Sequence, residues 1–272
     1  MPAMDYSKVA DLYDAYAQTD MDVRFFVEEA QGCRNVLELT SGTGRLSLPL
    51  LLAGVPLTSL DSSGDMLDIL RKKLREQGLS APVHFMDMVH LSLPESFDLI
   101  IIPFNAFSEI TDPLLQKTAL TSIRSHLAEN GRLVCTLHNP AVRKLRIDGQ
   151  PHRMGPFVLP DRTDRLFLTT LESLDPHTSI VSGNQTFEIT DPAGIPFSER
   201  IVELAFFLHT RQGFEDLYVR AGFETSALFG DYERNPFDPE KSPFMIWILK
   251  KGKPSGRVTV PGRDDDKGIH SG

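Results

Sequence analysis

Two acids and two glycines in the first quarter of the chain have the types and spacing needed to bind a nucleoside. Glu38 lies in a short apolar run, Gly42 and Gly44 follow it, and Asp61 ends the next apolar run. This order predicts a strand, a tight glycine turn, the start of a helix and a second strand. Asp61 would then lie at the carboxyl edge of a parallel sheet. A carboxylate there can accept hydrogen bonds from both ribose hydroxyls.

The residues of the turn distinguish two classes of cofactor. Dinucleotide enzymes use G-x-G-x-x-G, so that the pyrophosphate can lie at the helix N-terminus. Here the position of the third glycine is Ser47. Glu38 would sit badly beside a pyrophosphate but well beside an ammonium group. The turn therefore disfavours a nicotinamide dinucleotide.

This combination resembles the glycine-rich signature of the class I S-adenosylmethionine-dependent methyltransferases, acid-x-Gly-x-Gly-x-Gly. Thr40 stands where that signature has its first glycine. A turn that only joins strand to helix is the alternative. The resemblance implies that S-adenosyl-L-methionine is the cofactor. It would be held by Glu38, Thr40, Ser41, Gly42, Gly44, Asp61 and Ser62.

Three positions further along the chain extend the implied cofactor site. By resemblance, Met66 in the first turn of the next helix flanks the adenine. Asp87, after the third predicted strand, accepts a hydrogen bond from the adenine amine, and Met88 offers its backbone N–H. A core position for Met66 and a plain surface acid at Asp87 are the alternatives.

The run 97–102 is apolar without alternation, which predicts a central parallel strand buried on both faces. Its polar and aromatic end falls at the carboxyl edge of the sheet, where open α/β sheets bind their ligands. By resemblance, this end contacts the methionine moiety of the cofactor and shapes the acceptor pocket. The candidate residues are Pro103, Phe104, Asn105, Phe107 and Glu109.

A hydroxyl or a protonated amine needs a base before it can accept a methyl group. His138 ends the fifth predicted strand at the ligand edge and is the predicted base, with Asn105 and Tyr16 as further catalytic candidates. A histidine that only packs or orients a neighbour is the alternative. The predicted contacts to the acceptor further along the chain are Asn139, Tyr232 and Arg234, although a surface turn would also explain Tyr232 and Arg234.

The first 30 residues are predicted to form an amphipathic helical lid. Tyr13 resembles the tyrosine that closes over the cofactor in small-molecule methyltransferases. The alternative is that the aromatic residues here simply cover one side of the sheet.

Strand and helix patterns alternate five times up to residue 140, which predicts a doubly wound, mostly parallel sheet. By resemblance, this sheet is of the Rossmann-like methyltransferase type. The helix that starts at Pro113 is expected to bury Leu114 and Leu115 and to end at Asn130-Gly131. Residues 141–210 predict an antiparallel β insertion that covers the acceptor site, or a dimer surface. Residues 211–251 complete a seven-stranded sheet, so 31–140 and 211–251 form the cofactor domain. Residues 252–272 predict a disordered tail.

Composition excludes several other functions. The 272 residues carry a net charge of −9, and basic residues do not cluster with aromatics, so a nucleic-acid groove is not expected. The two cysteines lack metal-ligand spacing, and no metal is expected. Without a membrane-length apolar run, the prediction is a soluble, cytoplasmic monomer or homodimer.

The predicted function is methyl transfer from S-adenosylmethionine to a nitrogen or oxygen of a small molecule. The resemblance runs toward natural-product enzymes of antibiotic biosynthesis that act on heteroaromatic intermediates such as an azapteridine. The alternatives are a nicotinamide-dependent oxidoreductase and a non-catalytic, methyltransferase-like binding module.

Overall fold

The computed structural model describes residues 4–160 and 162–252, so the predicted tail beyond residue 252 lies outside the described residues. Within these described residues, eleven strands form two sheets. They are β1 (Val36–Leu39), β2 (Leu57–Asp61), β3 (Val83–Phe85), β4 (Phe97–Ile102), β5 (Leu127–His138), β6 (His152–Val158), β7 (Arg165–Asp175), β8 (Ile180–Thr190), β9 (Pro196–Phe207), β10 (Phe223–Phe229) and β11 (Phe244–Lys251).

The first sheet has the order β10-β11-β5-β4-β1-β2-β3. Strands β1 to β5 run parallel to their neighbours, and β11 pairs antiparallel with both β5 and β10. The predicted doubly wound, mostly parallel, seven-stranded sheet is therefore confirmed. The strand order reverses beside β1, which places the carboxyl ends of β1, β2 and β4 around one crevice.

The α-helices cover both faces of this sheet or connect it to the second one. They are α1 (Ala10–Tyr16), α2 (Val23–Ala30), α3 (Ser47–Leu52), α4 (Gly64–Glu76), α5 (Pro113–His126), α6 (Pro140–Arg143) and α7 (Arg211–Arg220). Helices α5 and α7 bury their apolar sides on one face, and α2 and α3 on the other. Ser63 caps α4 and Asp112 caps α5, each by accepting a backbone N–H bond.

The uninterrupted apolar run of β4 explains its central position. Leu99 and Ile101 face the core under α2 and α3, whereas Ile100 and Ile102 face the core under α5 and α7. Because both faces of a parallel strand are covered by helices, alternation of apolar and polar residues is lost. This run carries the chain to the crevice at its carboxyl end.

The second sheet, β6-β7-β8-β9, is antiparallel and follows β5, which confirms the predicted insertion. Its inner face packs against α1 through a cluster that includes Leu12, Leu168 and Phe187. The apolar patterns of residues 167–171, 185–189 and 201–207 predict three of its strands, which are β7, β8 and β9. Strand β6 was missed because almost all of its residues are exposed, and its side chains give no alternating apolar pattern.

The predicted end of the helix at Asn130-Gly131 was wrong. Helix α5 ends at His126, and both residues belong to β5. A Cβ at Gly131 would lie 2.7 Å from the carbonyl oxygen of Phe97, so this glycine permits close approach of β4 rather than helix termination. Leu114 and Leu115 are exposed, and the buried side of α5 carries Ala119, Leu120 and Ile123 instead.

Within residues 4–160 and 162–252, no helix is both long enough and apolar enough to cross a membrane. Over the same ranges, no group of three or more His, Cys, Asp or Glu side chains is arranged to hold a metal ion.

Candidate cofactor and acceptor site

The glycine turn and the acid that ends β2 are joined directly at the carboxyl edge of the sheet. The backbone N–H of Gly42 donates to one carboxylate oxygen of Asp61 at 2.8 Å, and the N–H of Ser63 donates to the other at 2.8 Å. Burial raises the pKa of Asp61, and these backbone N–H groups oppose the rise. The acid is thereby held in one orientation at the mouth of the crevice.

The turn is shaped to admit a ligand on one side. Thr40, Gly42 and Gly44 have φ angles of 59°, 55° and 89°, in the left-handed region. A Cβ at Gly44 would lie 2.4 Å from the Leu70 side chain, so glycine lets α4 pack closely; nothing lies within 4 Å of a Cβ placed on Gly42. Among the described residues, the buried Ser41 hydroxyl has no hydrogen-bond partner. These are the features expected of a cradle for a polar ligand.

Glu38 is the most deeply buried acid beside the turn, with 1% of its surface exposed. It accepts a hydrogen bond from the hydroxyl of Ser47, which stands at the position of the third glycine in dinucleotide-binding turns. Burial raises the pKa of Glu38 to about 8. In the described part of the chain, no cationic side chain lies within ion-pair distance of Glu38. The carboxylate thus fits the ammonium group of S-adenosylmethionine.

The predicted adenine-binding positions lie next to Asp61. The N–H of Met86 donates to the Asp61 carbonyl at 2.9 Å, so the segment after β3 adjoins the end of β2. Asp87 caps the turn that follows, accepting the N–H of Val89 at 2.8 Å. Met66 and Met88 are buried, and Ser62 is exposed.

The end of β4 holds a strained turn. Phe104 and Asn105 both have left-handed φ angles, 58° and 63°, after the buried Pro103. The Asn105 side-chain oxygen fixes this turn, because it accepts the N–H of His138 at 2.9 Å and the hydroxyl of Ser108 at 3.0 Å. The half-exposed Phe104 ring lies 4.2 Å from the guanidinium of Arg45.

His138 has a pKa of about 4, lowered first by burial and then by the nearby charges of Arg143 and Arg146. Its ring stacks on Phe244 at 6.0 Å. A histidine of this kind is neutral at pH 7 but accepts a proton poorly, which weakens it as the predicted base.

Four of the residues predicted to contact the acceptor bond to or pack against other parts of the protein. Asn139 caps α6 and donates to two backbone carbonyls, at 2.8 and 3.1 Å. Phe107 is buried between His209 and Phe214. Tyr232 packs among aromatic rings of α2, and Arg234 binds Glu29 on the same helix. The structure brings none of these four side chains to Glu38.

The lid carries a row of three tyrosines that leads toward the insertion. The Tyr6 and Tyr13 ring centroids lie 6.1 Å apart, Tyr13 and Tyr16 5.3 Å, and Tyr16 and Phe187 5.4 Å. The hydroxyl of Tyr6 donates to the carboxylate of Glu109 at 2.7 Å. Sequence reasoning missed Tyr6, which lies in the short turn Tyr6–Lys8 before α1.

Two further contacts attach the N-terminal segment to the glycine turn, and neither was predicted. Asp14 accepts the hydroxyl of Thr43 at 2.6 Å and pairs with Lys73 at 2.6 Å. Asp22 pairs with Arg45 through both oxygens at 2.6 Å, and both side chains are largely buried. The lid is thus fixed to the same turn that would hold the cofactor.

Comparisons with known proteins find a methyltransferase domain in the part of the chain that carries the glycine turn. Residues 36–131 match a family described as the methyltransferase domain. A glycine/sarcosine N-methyltransferase of Aphanothece halophytica is 26% identical over 133 residues, 47% of this chain and 50% of that protein. The chain spans about half the length of the curated relatives it matches.

Solved structures extend the similarity to most of the chain. An S-adenosylmethionine-dependent methyltransferase of Clostridium acetobutylicum has a TM-score of 0.77 and 20% identity, covering 91% of this chain and 99% of that one. CalS10 of Micromonospora echinaspora, an amino pentose methyltransferase with S-adenosylmethionine bound, has a TM-score of 0.63 and 18% identity, covering 85% and 89%.

The sheet order and the glycine turn with its two acids are those of the class I S-adenosylmethionine-dependent methyltransferase fold, and residues 36–131 match the methyltransferase domain. The buried Glu38 carboxylate, and Ser47 at the position of the third glycine, disfavour the alternative of a nicotinamide dinucleotide.

Proposed function

We propose that this chain transfers a methyl group from S-adenosylmethionine to a nitrogen atom of a small molecule. The observation that carries the proposal is the crevice in which Glu38 and Asp61 flank an open glycine turn without cationic partners among the described residues. The bound cofactor supplies an electrophilic methyl group on its sulfonium. The protein's own contribution is to align the acceptor, exclude water and handle the acceptor's proton.

The two acids would orient the cofactor from its opposite ends. Glu38 would pair with the ammonium group, and Asp61 would accept hydrogen bonds from the ribose hydroxyls. Asn105 keeps the end of β4 in its strained turn by accepting the backbone N–H of His138, the last residue of β5. These contacts together would hold the methyl group at the point where β4 and β5 end.

The covering elements support a small acceptor. Helix α1 is fixed to the glycine turn through Asp14 and to the insertion through Arg200, which pairs with Asp11. The tyrosine row fills the space between these contacts. A large acceptor would have to displace both, whereas a small molecule would need only a local opening.

Nitrogen is favoured over oxygen by a relative and by the local chemistry. The relative from Aphanothece halophytica is a glycine/sarcosine N-methyltransferase by name. A heteroaromatic nitrogen, such as that of the azapteridine expected from the sequence, would need little help from a base. The roles in antibiotic biosynthesis and in the cytoplasm stay predictions, as does the monomeric or dimeric state.

Calorimetric titration tests the cofactor part of the proposal. We expect micromolar binding of S-adenosylmethionine and of its demethylated product, and none of reduced nicotinamide dinucleotide. Binding without methyl transfer to any acceptor would instead support a non-catalytic module. Failure of both sulfur nucleosides to bind would contradict the proposal.

Asp61→Ala provides the matching variant. We expect cofactor binding to weaken by about 1–3 kcal/mol, because two ribose hydrogen bonds to a charged acceptor are lost. Asp68→Ala, on the exposed side of α4, is the control and should leave the affinity unchanged. An unchanged affinity in Asp61→Ala would remove Asp61 from the site.

A further inference from the structure

Buried carboxylates elsewhere in the structure have arginine partners. Asp22 pairs with Arg45, Glu29 with Arg132 and Arg234, and Glu172 with Arg143, the last at 2.5 Å. An unpaired buried carboxylate is costly, so pairing is the ordinary arrangement. Departures from it need an explanation.

Glu109, which is only partly exposed, departs from this arrangement. It ends the turn Ala106–Glu109 that follows β4, on the same sheet edge as Glu38 and Asp61. Its carboxylate accepts a hydrogen bond from Tyr6, and no cationic side chain of the described residues lies within ion-pair distance. Burial raises its pKa to about 7; the Tyr6 hydrogen bond opposes this rise and the charge of Asp61 adds to it.

The surroundings of Glu109 are aromatic rather than basic. Tyr6, Tyr13 and Tyr16 of the N-terminal segment lie beside it, and burial raises the pKa of all three, with the Glu109 charge contributing. His138, which bonds to Asn105, and His209, which packs on Phe107, have pKa values of about 4 and 3, lowered mainly by burial, and are neutral. An acid among aromatic rings is the chemistry that receives an alkylammonium group.

We infer that Glu109, held by Tyr6, binds the ammonium group of a primary or secondary amine acceptor and takes its proton before methyl transfer. This inference rests on the proposed function and specifies its substrate class. Glu38 and Asp61 are assigned to the ammonium and ribose of the cofactor, so Glu109 is the remaining acid at this edge with no assigned partner. Glu109 touches the acceptor, whereas Tyr6 acts only through Glu109.

The step balances with the cofactor as its only co-reactant. One N–H bond of the ammonium breaks, and its proton goes to a carboxylate oxygen of Glu109. The freed lone pair of nitrogen forms the bond to the methyl carbon while the S–C bond breaks, leaving its electron pair on sulfur. The product amine carries the positive charge, and the proton leaves Glu109 for solvent when the lid opens.

The test compares matched amine and alcohol acceptors: benzylamine with benzyl alcohol, cyclohexylamine with cyclohexanol, and glucosamine with glucose. Formation of S-adenosylhomocysteine is measured for the full chain, for Glu109→Gln and for Tyr6→Phe. We expect turnover of amines and not of their alcohols, and loss of amine kcat/KM by about 100-fold or more in Glu109→Gln.

The pH profile separates proton transfer from a structural role. Wild-type kcat/KM is expected to rise through a limb near pH 7 that is absent in Glu109→Gln. Because the Tyr6 hydrogen bond lowers the pKa of Glu109, Tyr6→Phe should keep the limb and move it to higher pH. Retention of amine turnover within about threefold in Glu109→Gln, or an unchanged profile, would overturn the inference.

Binding experiments keep the two proposals distinguishable. Glu109→Gln should bind S-adenosylmethionine as tightly as wild type, and its melting temperature reports folding. Wild type loaded with S-adenosylhomocysteine should bind the amines in calorimetry, and Glu109→Gln should not. Intact cofactor binding with no amine binding, or with equal turnover of alcohols, refutes the role of Glu109 alone. Loss of cofactor binding by wild type would refute the proposed function itself.

Discussion

Buried and partly buried carboxylates occur in two settings in this molecule, and the settings differ in what faces each acid. Asp22, Glu29 and Glu172 each face an arginine, and these pairs join separate elements of the fold. Glu38 and Glu109, at the carboxyl edge of the sheet, face hydroxyl groups instead. Asp61, at the same edge, faces backbone N–H groups.

The difference has an energetic meaning. An arginine partner compensates a buried carboxylate for the water it has lost, so the two side chains can form a permanent structural ion pair. An acid bonded only to hydroxyls is poorly compensated, and burial raises the pKa of Glu38 to about 8 and of Glu109 to about 7. Such acids gain a cation only when a ligand brings one. The first setting therefore supports the fold, and the second supports binding.

The largest expected loss of stability comes from removing one member of a structural ion pair. Arg45→Ala leaves Asp22 buried without its partner, so we expect the free energy of unfolding to fall by about 3–5 kcal/mol in chemical denaturation. The control is Arg200→Ala, whose pair with Asp11 is partly exposed; it should cost less than about 1 kcal/mol. Equal losses of unfolding free energy in the two variants would contradict the distinction between buried structural ion pairs and surface ion pairs.

Replacing an acid at the sheet edge is expected to raise the free energy of unfolding rather than lower it. Glu38→Gln should stabilise the cofactor-free protein by about 1–3 kcal/mol at pH 8, because the desolvated charge is removed. It should weaken S-adenosylmethionine binding by about tenfold or more, because the ammonium loses its carboxylate.

The pH dependence of stability follows from the raised pKa of Glu38. The folded state holds the proton more tightly than the unfolded state does. Its contribution to stability is therefore full below the unfolded pKa of about 4.5 and is lost as pH rises toward about 8. Denaturation of wild type and Glu38→Gln at pH 5 and pH 8 measures this difference, with the exposed Glu76→Gln as control. A difference in unfolding free energy between wild type and Glu38→Gln that does not change with pH would contradict the raised pKa of Glu38.

The smallest effect is expected at the lid. Asp14→Ala removes the hydrogen bond from Thr43 and the pair with Lys73, at a cost of about 0.5–1.5 kcal/mol. Because the lid then holds the glycine turn less firmly, cofactor dissociation in stopped-flow experiments should become about 3–10 times faster. Asp11→Ala, three residues earlier on α1, breaks only the contact with the insertion and should leave dissociation nearly unchanged.

Much of the fold could be predicted from local patterns. The apolar run of β4 and the alternation of strands with helices predicted the parallel sheet, and the change of pattern after residue 140 predicted the insertion. The errors arose where residue type had more than one structural use. Asn130-Gly131 is a typical helix end, yet Gly131 serves close strand approach in β5, and β6 has too few buried residues to give a pattern.

The candidate site also contains residues that local sequence patterns identified and residues whose role depends on packing. Glu38, Gly42, Gly44 and Asp61 were identified together because one turn and one neighbouring strand bring them to a common edge. Asn139 and Phe107 carry polar or aromatic side chains at the expected edge, but the first caps a helix and the second is core. Residue type at a strand end gives the location of a side chain, but not whether the surrounding structure already uses it.

The amino-acid sequence alone predicts the class of cofactor, because backbone geometry sets the spacing of strand, glycine turn and acid within about 25 residues. Which acids form structural ion pairs, and which have no arginine partner and can receive a ligand, depends on the tertiary structure. The arginine partners of Asp22, Glu172 and Glu29 lie 23, 29 and 103 residues away in the chain. Such pairings depend on how separate elements pack, and no local pattern of residues encodes them.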